Sequence, residues 1–451
     1  MKPDKIIDAI SFVDDSVLEK AAKSREKRSA RPLIIKLSAV AACIAVLFSA
    51  LLFMPQKETV KFSNAGKAFA MEAVYPEKKQ DGGTLNCDSE NTLKKFSEKI
   101  NKELLTDNTE NFVYSPLNIF FAMSLLAECT EGDSKAELLE FIGEDDLVAL
   151  RKNAYDMWLN NYIDSDDNKT HFGNSVWLNK KILFDQNALK ILNENYFASV
   201  YSGKMGDKAY FNDFKSWLNK QTNNLLTDSV DTIPEWDAKT AMCLASTLYF
   251  KSNWQKEFPV SVEKPFYTNN GQKTTKFLLG TDCRYFYESD NFTATAVNFS
   301  NGGNMLFVLP NENSSIEDVA KNEKFYELIY TTNKKATEER VCVQVPEFDV
   351  SAHFRLSDCL PKLGVKDIFS PSKANFSKIT KEQIYVDLIM HSARVKIDKY
   401  GCEGAAITIT NTKNTSAAIE KPIDFILDRP FIFVVRSHDN SPLFIGAVYN
   451  P

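Results

Sequence analysis

Catalytic signatures are missing from this chain. Its four histidines are His171, His353, His391 and His438, and none belongs to an H-E-x-x-H pair. No G-x-S-x-G elbow, G-x-G-x-x-G turn or P-loop occurs, so hydrolase, metalloprotease and nucleotide chemistry find no support. Cysteine is sparse: of eight, Cys43 lies in an apolar run and the others are scattered without a C-x-x-C. That suggests neither a zinc site nor a disulfide framework, but single thiols, mostly buried. No long basic block follows residue 36 and the net charge is −6, which argues against nucleic acid as a partner. No internal repeat occurs. The sequence therefore predicts no enzyme, no catalytic residue, no metal site and no cofactor.

What is present is a globular composition, 44% apolar and 25% charged over 451 residues. Residues 1–32 are polar and become basic towards their end, with Lys20, Lys23, Arg25, Lys27, Arg28 and Arg31. Residues 33–54, LIIKLSAVAACIAVLFSALLFM, are apolar apart from Lys36 and two serines. This run is long enough to span a membrane as a helix, with Lys36 near one end able to snorkel. The positive bias before it predicts a cytoplasmic N-terminus and the rest of the chain outside. Val40-Ala41-Ala42-Cys43 lies inside the run and Ala68-Phe69-Ala70 too far beyond it to be cleavage signals, so the expectation is an uncleaved signal anchor. Residues 55–90, with Pro55, Pro76, Gly82 and Gly83, read as a tether. Helical and strand patterns alternate from 91 to 451.

One stretch stands out, KIDKYGCEGAAITITNTKNTSAAIEKPIDFILDRP from Lys396 to Pro430. No proline falls between Gly401 and Glu420, so the segment can donate a full backbone ladder. At period two its even positions are Cys402, Gly404, Ala406, Thr408, Thr410, Thr412 and Asn414, all uncharged. Both charges, Glu403 and Lys413, fall on the odd face. Such a strand can slide between two others without burying a charge. The composition at 410–417, TNTKNTSA, reads equally well as an exposed loop after an ordinary strand. A segment suited to both states is a candidate switch.

The context of this stretch resembles the serpin family. His391-Ser-Ala-Arg-Val-Lys-Ile-Asp-Lys-Tyr-Gly401 is similar to the family's approach to its reactive loop. Asp428-Arg-Pro-Phe-Ile-Phe and Ser441-Pro-Leu-Phe-Ile-Gly-Ala-Val-Tyr-Asn-Pro451 resemble its C-terminal signature. Further matches follow in order: Asn111-Phe-Val-Tyr-Ser-Pro-Leu-Asn118, Asn174-Ser-Val-Trp-Leu, Ser246-Thr-Leu-Tyr-Phe-Lys-Ser-Asn-Trp254, Met305-Leu-Phe-Val-Leu-Pro-Asn311, Val345-Pro-Glu-Phe348 and Leu363-Gly-Val-Lys-Asp-Ile-Phe369. Singly they are weak; their order over the whole 91–451 region is specific.

The resemblance implies an α+β serpin fold, with helices around a large central mixed sheet, two smaller sheets and an exposed reactive-centre loop. It implies a monomeric suicide substrate that traps a target protease, in all expectation a serine protease, as a covalent complex. The alternative is a non-inhibitory serpin acting as a binding or scaffold protein at the cell envelope. The hinge would be Gly401, Cys402, Glu403, Gly404, Ala405, Ala406, Ile407 and Thr408. The reactive bond would be Thr415–Ser416, within a window from Lys413 to Ile419. Ser115, Asn118, Ser246 and His391 would form a polar shutter beneath the sheet, and Trp254 would cap the place where the loop first enters. Three departures are visible. Lys399 and Tyr400 stand where the family usually has acids, Cys402 where it has threonine or serine, and Asn118 and Ser246 look exchanged with each other.

Overall fold

The computed structural model describes residues 62–63, 69–75, 85, 87–106, 109–283, 285–330, 340–402 and 422–451. The N-terminal segment 1–32, the apolar run 33–54, the hinge from Glu403 to Thr408 and the Thr415–Ser416 bond lie outside them. In chain order the first elements are β1 (Phe62–Ser63), β2 (Phe69–Met71), α1 (Cys87–Thr106), β3 (Phe112–Tyr114), α2 (Pro116–Cys129), α3 (Gly132–Ile142) and α4 (Leu147–Asn161). There follow β4 (Ile163–Asp164), β5 (Lys169–Asn179), α5 (Gln186–Tyr196), β6 (Ala198–Gly203), α6 (Lys208–Gln221), α7 (Thr227–Asp231) and β7 (Met242–Asn253). The second half is richer in strand: β8 (Val260–Thr268), β9 (Gly271–Cys283), β10 (Tyr287–Glu288), β11 (Phe292–Asn298), β12 (Asn304–Pro310), α8 (Ile316–Ala320) and α9 (Glu323–Tyr330). It closes with β13 (Val341–Pro346), β14 (Phe348–Arg355), β15 (Met390–Ile397), β16 (Gly401–Cys402), β17 (Ile423–Ile426), β18 (Phe431–Arg436) and β19 (Pro442–Val448).

Among the described residues these strands form three sheets. The largest runs β1-β2-β6-β5-β7-β16-β15-β14, with β4 paired to β5. It is mixed, because β5 and β6 are parallel while β5 and β7 are antiparallel. A second sheet runs β10-β11-β12-β18-β19-β3, and a third β17-β13-β9-β8.

Period-two alternation divides the large sheet into two faces. On β5, Val176 and Leu178 join the main core, whereas Trp177 belongs to a second apolar cluster with Tyr210, Phe211 and Phe214 of α6. On β7, Leu248 and Phe250 face the main core, and Cys243 and Ala245 pack towards the α6 side. Helix α2 fills the main core. Ser115 caps it by accepting from the Asn118 N–H, and Pro116 occupies its first position, where its missing donor costs nothing. Nearly every residue of α2 is buried, as expected of a helix apolar on all sides.

The expected membrane placement is corrected here. Among the described residues no helix is long and apolar enough to cross a membrane. The strongly apolar α2 has 14 residues, short of the roughly 20 a span requires. The 20-residue α1 carries Lys94, Lys95, Glu98, Lys99, Lys102 and Glu103. A single-pass protein with its folded part outside the cytoplasm is therefore not carried forward.

The stretch expected to be a tether is partly built into the fold. β2 pairs antiparallel with β6, setting Phe69 against Ser202 and Met71 against Val200. The Asn193 Nδ2 donates to the Glu72 carbonyl at 3.2 Å, and the Ala73 N–H to Ser199 Oγ at 3.2 Å. Tyr75 then stacks on Trp158, with ring centres 5.3 Å apart and planes 5° apart, and on Tyr162 at 5.7 Å. Burial pushes the Tyr75 phenol up to about 12.

Candidate functional site

The site begins at a tight reversal after β15. Asp398 Oδ1 accepts from the N–H groups of Tyr400 (2.8 Å) and Gly401 (3.1 Å), and the Asp398 N–H donates to the Gly401 carbonyl at 3.0 Å. This is the Asx geometry that lets an aspartate fold the chain back on itself. The turn delivers β16 between two strands. Cys402 is the Cα partner of Ile397 on β15 and of Ser252 on β7, and Gly401 is the partner of Asn253. Both pairings are antiparallel. Among the described residues β7 and β15 are not paired with each other. At this height they stand two inter-strand steps apart, about 9–10 Å.

Close approach explains the glycine. A β-carbon at 401 would lie 2.4 Å from the Ser252 carbonyl oxygen and 2.9 Å from the Asn253 Cα, both backbone atoms. Trp254 closes this end of the sheet. Its N–H donates to the Tyr400 carbonyl at 2.9 Å, and its indole Nε1 to the Asp398 carbonyl at 2.8 Å. Its ring stacks on Phe299 at 4.8 Å and meets Phe258 edge-on at 5.7 Å. Lys399 and Tyr400, which stand where acids were expected, contribute backbone here: the Lys399 carbonyl accepts from the Phe258 N–H at 3.1 Å.

Further along β7 and β15, four other expected residues come together. The Ser115 N–H donates to His391 Nε2 at 3.1 Å, so the His391 proton is on Nδ1. The Asn118 Nδ2 donates to Ser246 Oγ at 2.8 Å, which joins α2 to β7. The apparent exchange of these two residue types thus leaves one hydrogen bond intact. His391 is buried, and Phe354 meets its ring edge-on at 5.4 Å. Burial, and after it the neighbouring His353, brings His391 down to about 3. His353 faces the other way. Its Nδ1 is bonded to Ser392 Oγ and its Nε2 lies 3.2 Å from Thr232 Oγ1, and burial lowers it too.

Two contributors escaped the sequence reading. In the sequence His353 is only one of four histidines without a catalytic motif. Asn168 lies in Asp164-Ser165-Asp166-Asp167-Asn168, whose composition signals a turn and no more. Its Oδ1 accepts from Ser252 Oγ at 2.6 Å and from Ser300 Oγ at 2.9 Å. Among the described residues no group of histidine, cysteine and carboxylate side chains could hold a metal ion.

Comparison with known proteins bears on the same region. The family model described as serpin (serine protease inhibitor) matches residues 91–451. The chain belongs to the serpin family. As a serpin it is 26% identical over 365 residues to Serpin-ZX of Arabidopsis thaliana, covering 76% of this chain and 92% of that one. It is 22% identical over 359 residues to heparin cofactor 2 of Rattus norvegicus, covering 76% and 73%. In fold it is similar to the thermophilic serpin tengpin in its native state, with a TM-score of 0.73 at 23% identity over 84% of this chain and 97% of that one. A complex of thyroxine-binding globulin with thyroxine matches at a TM-score of 0.69 and 21% identity, over 81% and 99%. The architecture is the serpin fold: helices packed around a large mixed sheet, with two smaller sheets beside it.

Proposed function

We propose that this serpin inhibits a protease as a suicide substrate, with its reactive bond at Thr415–Ser416. The observation that carries the reading is β16, whose two residues lie between β7 and β15 and run antiparallel to both. The segment that would follow has no charge on its even face from Cys402 to Asn414. Continuing the ladder from Cys402 sets residue 402+n beside 252−n and 397−n. Thr408 then comes beside Ser246 and His391, since 408 is 402+6, 246 is 252−6 and 391 is 397−6. Even positions would face the main core, as Leu248, Phe250, Val395 and Ile397 do.

In this mechanism the protease's serine oxygen attacks the Thr415 carbonyl carbon and forms an ester. The Thr415–Ser416 C–N bond breaks, and the new Ser416 amine leaves carrying the proton first taken from that serine. Residues from Gly401 onward then enter between β7 and β15 as a full strand. Fifteen extended residues span on the order of 50 Å, enough to carry the bound protease from one end of the sheet to the other. Strain at its active site leaves the ester unhydrolysed. Thr415 suits an elastase-like or subtilisin-like protease, whereas cleavage after Lys413 suits a trypsin-like one. The serpin itself supplies bait and stored free energy, and Thr415 is not a catalyst.

The experiment is a protease panel read on denaturing gels, with sequencing of the released C-terminal peptide to place the bond. An SDS-stable adduct, and a large rise in melting temperature after loop cleavage, are expected. Proteases that leave unharmed, with no gain in heat resistance, would leave the non-inhibitory reading in its place.

A further inference from the structure

We infer that Asn168 is a positioning residue for strand insertion; this rests on the inhibitory reading above. Asn168 ends the hairpin between β4 and β5, and its backbone is fixed there. Its N–H donates to Ser165 Oγ at 3.1 Å, and its carbonyl accepts from the Ser165 N–H at 2.9 Å and from Ser165 Oγ at 2.9 Å. From that anchored position one side-chain oxygen accepts two hydroxyls, Ser252 Oγ at 2.6 Å and Ser300 Oγ at 2.9 Å. Ser252 is on β7, and Ser300 is in the turn that joins β11 to β12. The Ser300 N–H donates in turn to the Asn253 carbonyl at 2.9 Å. Three segments far apart in sequence are thereby tied at one end of β7.

The tie falls at the rung that matters. Ser252 is the β7 residue that faces Cys402, the last described residue of the hinge. It is 1% exposed, so its hydroxyl needs a partner inside the protein. An incoming strand takes its register from this rung. A slip of one residue would turn every side chain to the opposite face and carry Glu403 and Lys413 into the core. Holding Ser252 fixes the height of the edge against which the loop pairs, and Ser300 braces the holder. Insertion in register competes with hydrolysis of the ester, so a loose edge diverts molecules to simple cleavage. The requirement is for an acceptor: both contacts use the Asn168 oxygen, and a carboxylate oxygen satisfies the same two O–H donors.

The test uses the full-length chain with subtilisin, elastase and trypsin, and reads the number of serpin molecules cleaved per protease trapped. Asn168→Ala is expected to raise this ratio several-fold while the rate of first loop cleavage stays unchanged, because the register of insertion acts only after the bait bond has been attacked. Asn168→Asp is expected to restore the wild-type ratio. Ser300→Ala, an exposed single change that leaves Asn168 in place, is expected to raise the ratio by a smaller factor, and it covers the case of a misfolded Asn168→Ala. A lower melting temperature with an unchanged ratio would make Asn168 merely structural and overturn the inference. A raised ratio that Asn168→Asp fails to restore would also overturn it, since packing rather than an acceptor would then be at work. If the wild type itself forms no SDS-stable adduct with any of the three, the inhibitory reading falls and this one with it. If the wild type forms the adduct and the variants match it, only this one falls.

Discussion

Asn118 and Ser246 meet across the core, the amide Nδ2 of one donating to the hydroxyl of the other at 2.8 Å. Removing the donor with Asn118→Ala strands a half-buried hydroxyl and is expected to cost about 1–2 kcal/mol. Exchanging the two as Asn118→Ser with Ser246→Asn rebuilds the bond in the opposite sense and is expected to recover most of the loss. Urea denaturation of the two single changes and the double gives the coupling directly. Strictly additive costs would show that the bond contributes nothing.

Acid is expected to destabilise the native serpin through His391. The unfolded side chain titrates near 6.5, and the folded one is lowered by burial and then by His353 to about 3. Between those values the unfolded chain binds the extra proton. The stability held by neutral His391 is thus complete above pH 6.5 and is lost as pH falls towards 3. At about 1.4 kcal/mol per pKa unit the full loss is on the order of 4–5 kcal/mol. Protonation also removes the acceptor used by the Ser115 N–H. His391→Gln is expected to flatten the dependence of the urea midpoint on pH between 6.5 and 4, while His353 and the lowered carboxyls of Asp164 and Asp318 still contribute in the same direction. A slope equal to that of the wild type would place the acid sensitivity elsewhere.

The ladder arithmetic makes Thr408 a discriminating position. In this register Thr408→Arg would bring a cation against Ser246 and His391 on the core side of the sheet, neither of them an anion. Cleavage of the loop is expected to persist while the SDS-stable adduct and the gain in heat resistance disappear. Thr408→Ala is expected to keep both. A Thr408→Arg variant that still traps protease would show that the strand enters in another register.

Gly401→Ala tests β16 in the uncut molecule. The added methyl would press on the Ser252 carbonyl oxygen and the Asn253 Cα, and neither can swing aside. Overpacking of this kind costs about 1–3 kcal/mol. The native melting temperature is expected to drop accordingly. A melt indistinguishable from the wild type would mean that β16 is not seated against β7.

Much of this was readable in the chain. β5 was legible through the family-like Asn174-Ser-Val-Trp-Leu and not by alternation, because Val176, Trp177 and Leu178 are all apolar and all buried, on two different faces of the sheet. The capped start of α2 is written locally in Ser115-Pro116. Family resemblance supplied what periodicity does not, the pairing of Ser115 with His391 across 276 positions. Asn168 stayed hidden because its partners are 84 and 132 residues away and its own surroundings spell only a turn. β2 was hidden for a related reason: three residues beside a sheet edge carry no detectable period, and Tyr75 looks like any tyrosine until Trp158 lies beneath it.

That last contact sets a practical limit on where the molecule can be cut. The family likeness begins at residue 91, which invites a shortened chain starting there. Such a product would lack β2 and Tyr75, leaving β6 as the bare margin of the largest sheet and the indole of Trp158 without the ring that stacks on it from outside that region. A naked margin of that kind is a template for other copies, so truncated preparations are expected to clump where longer ones stay dispersed.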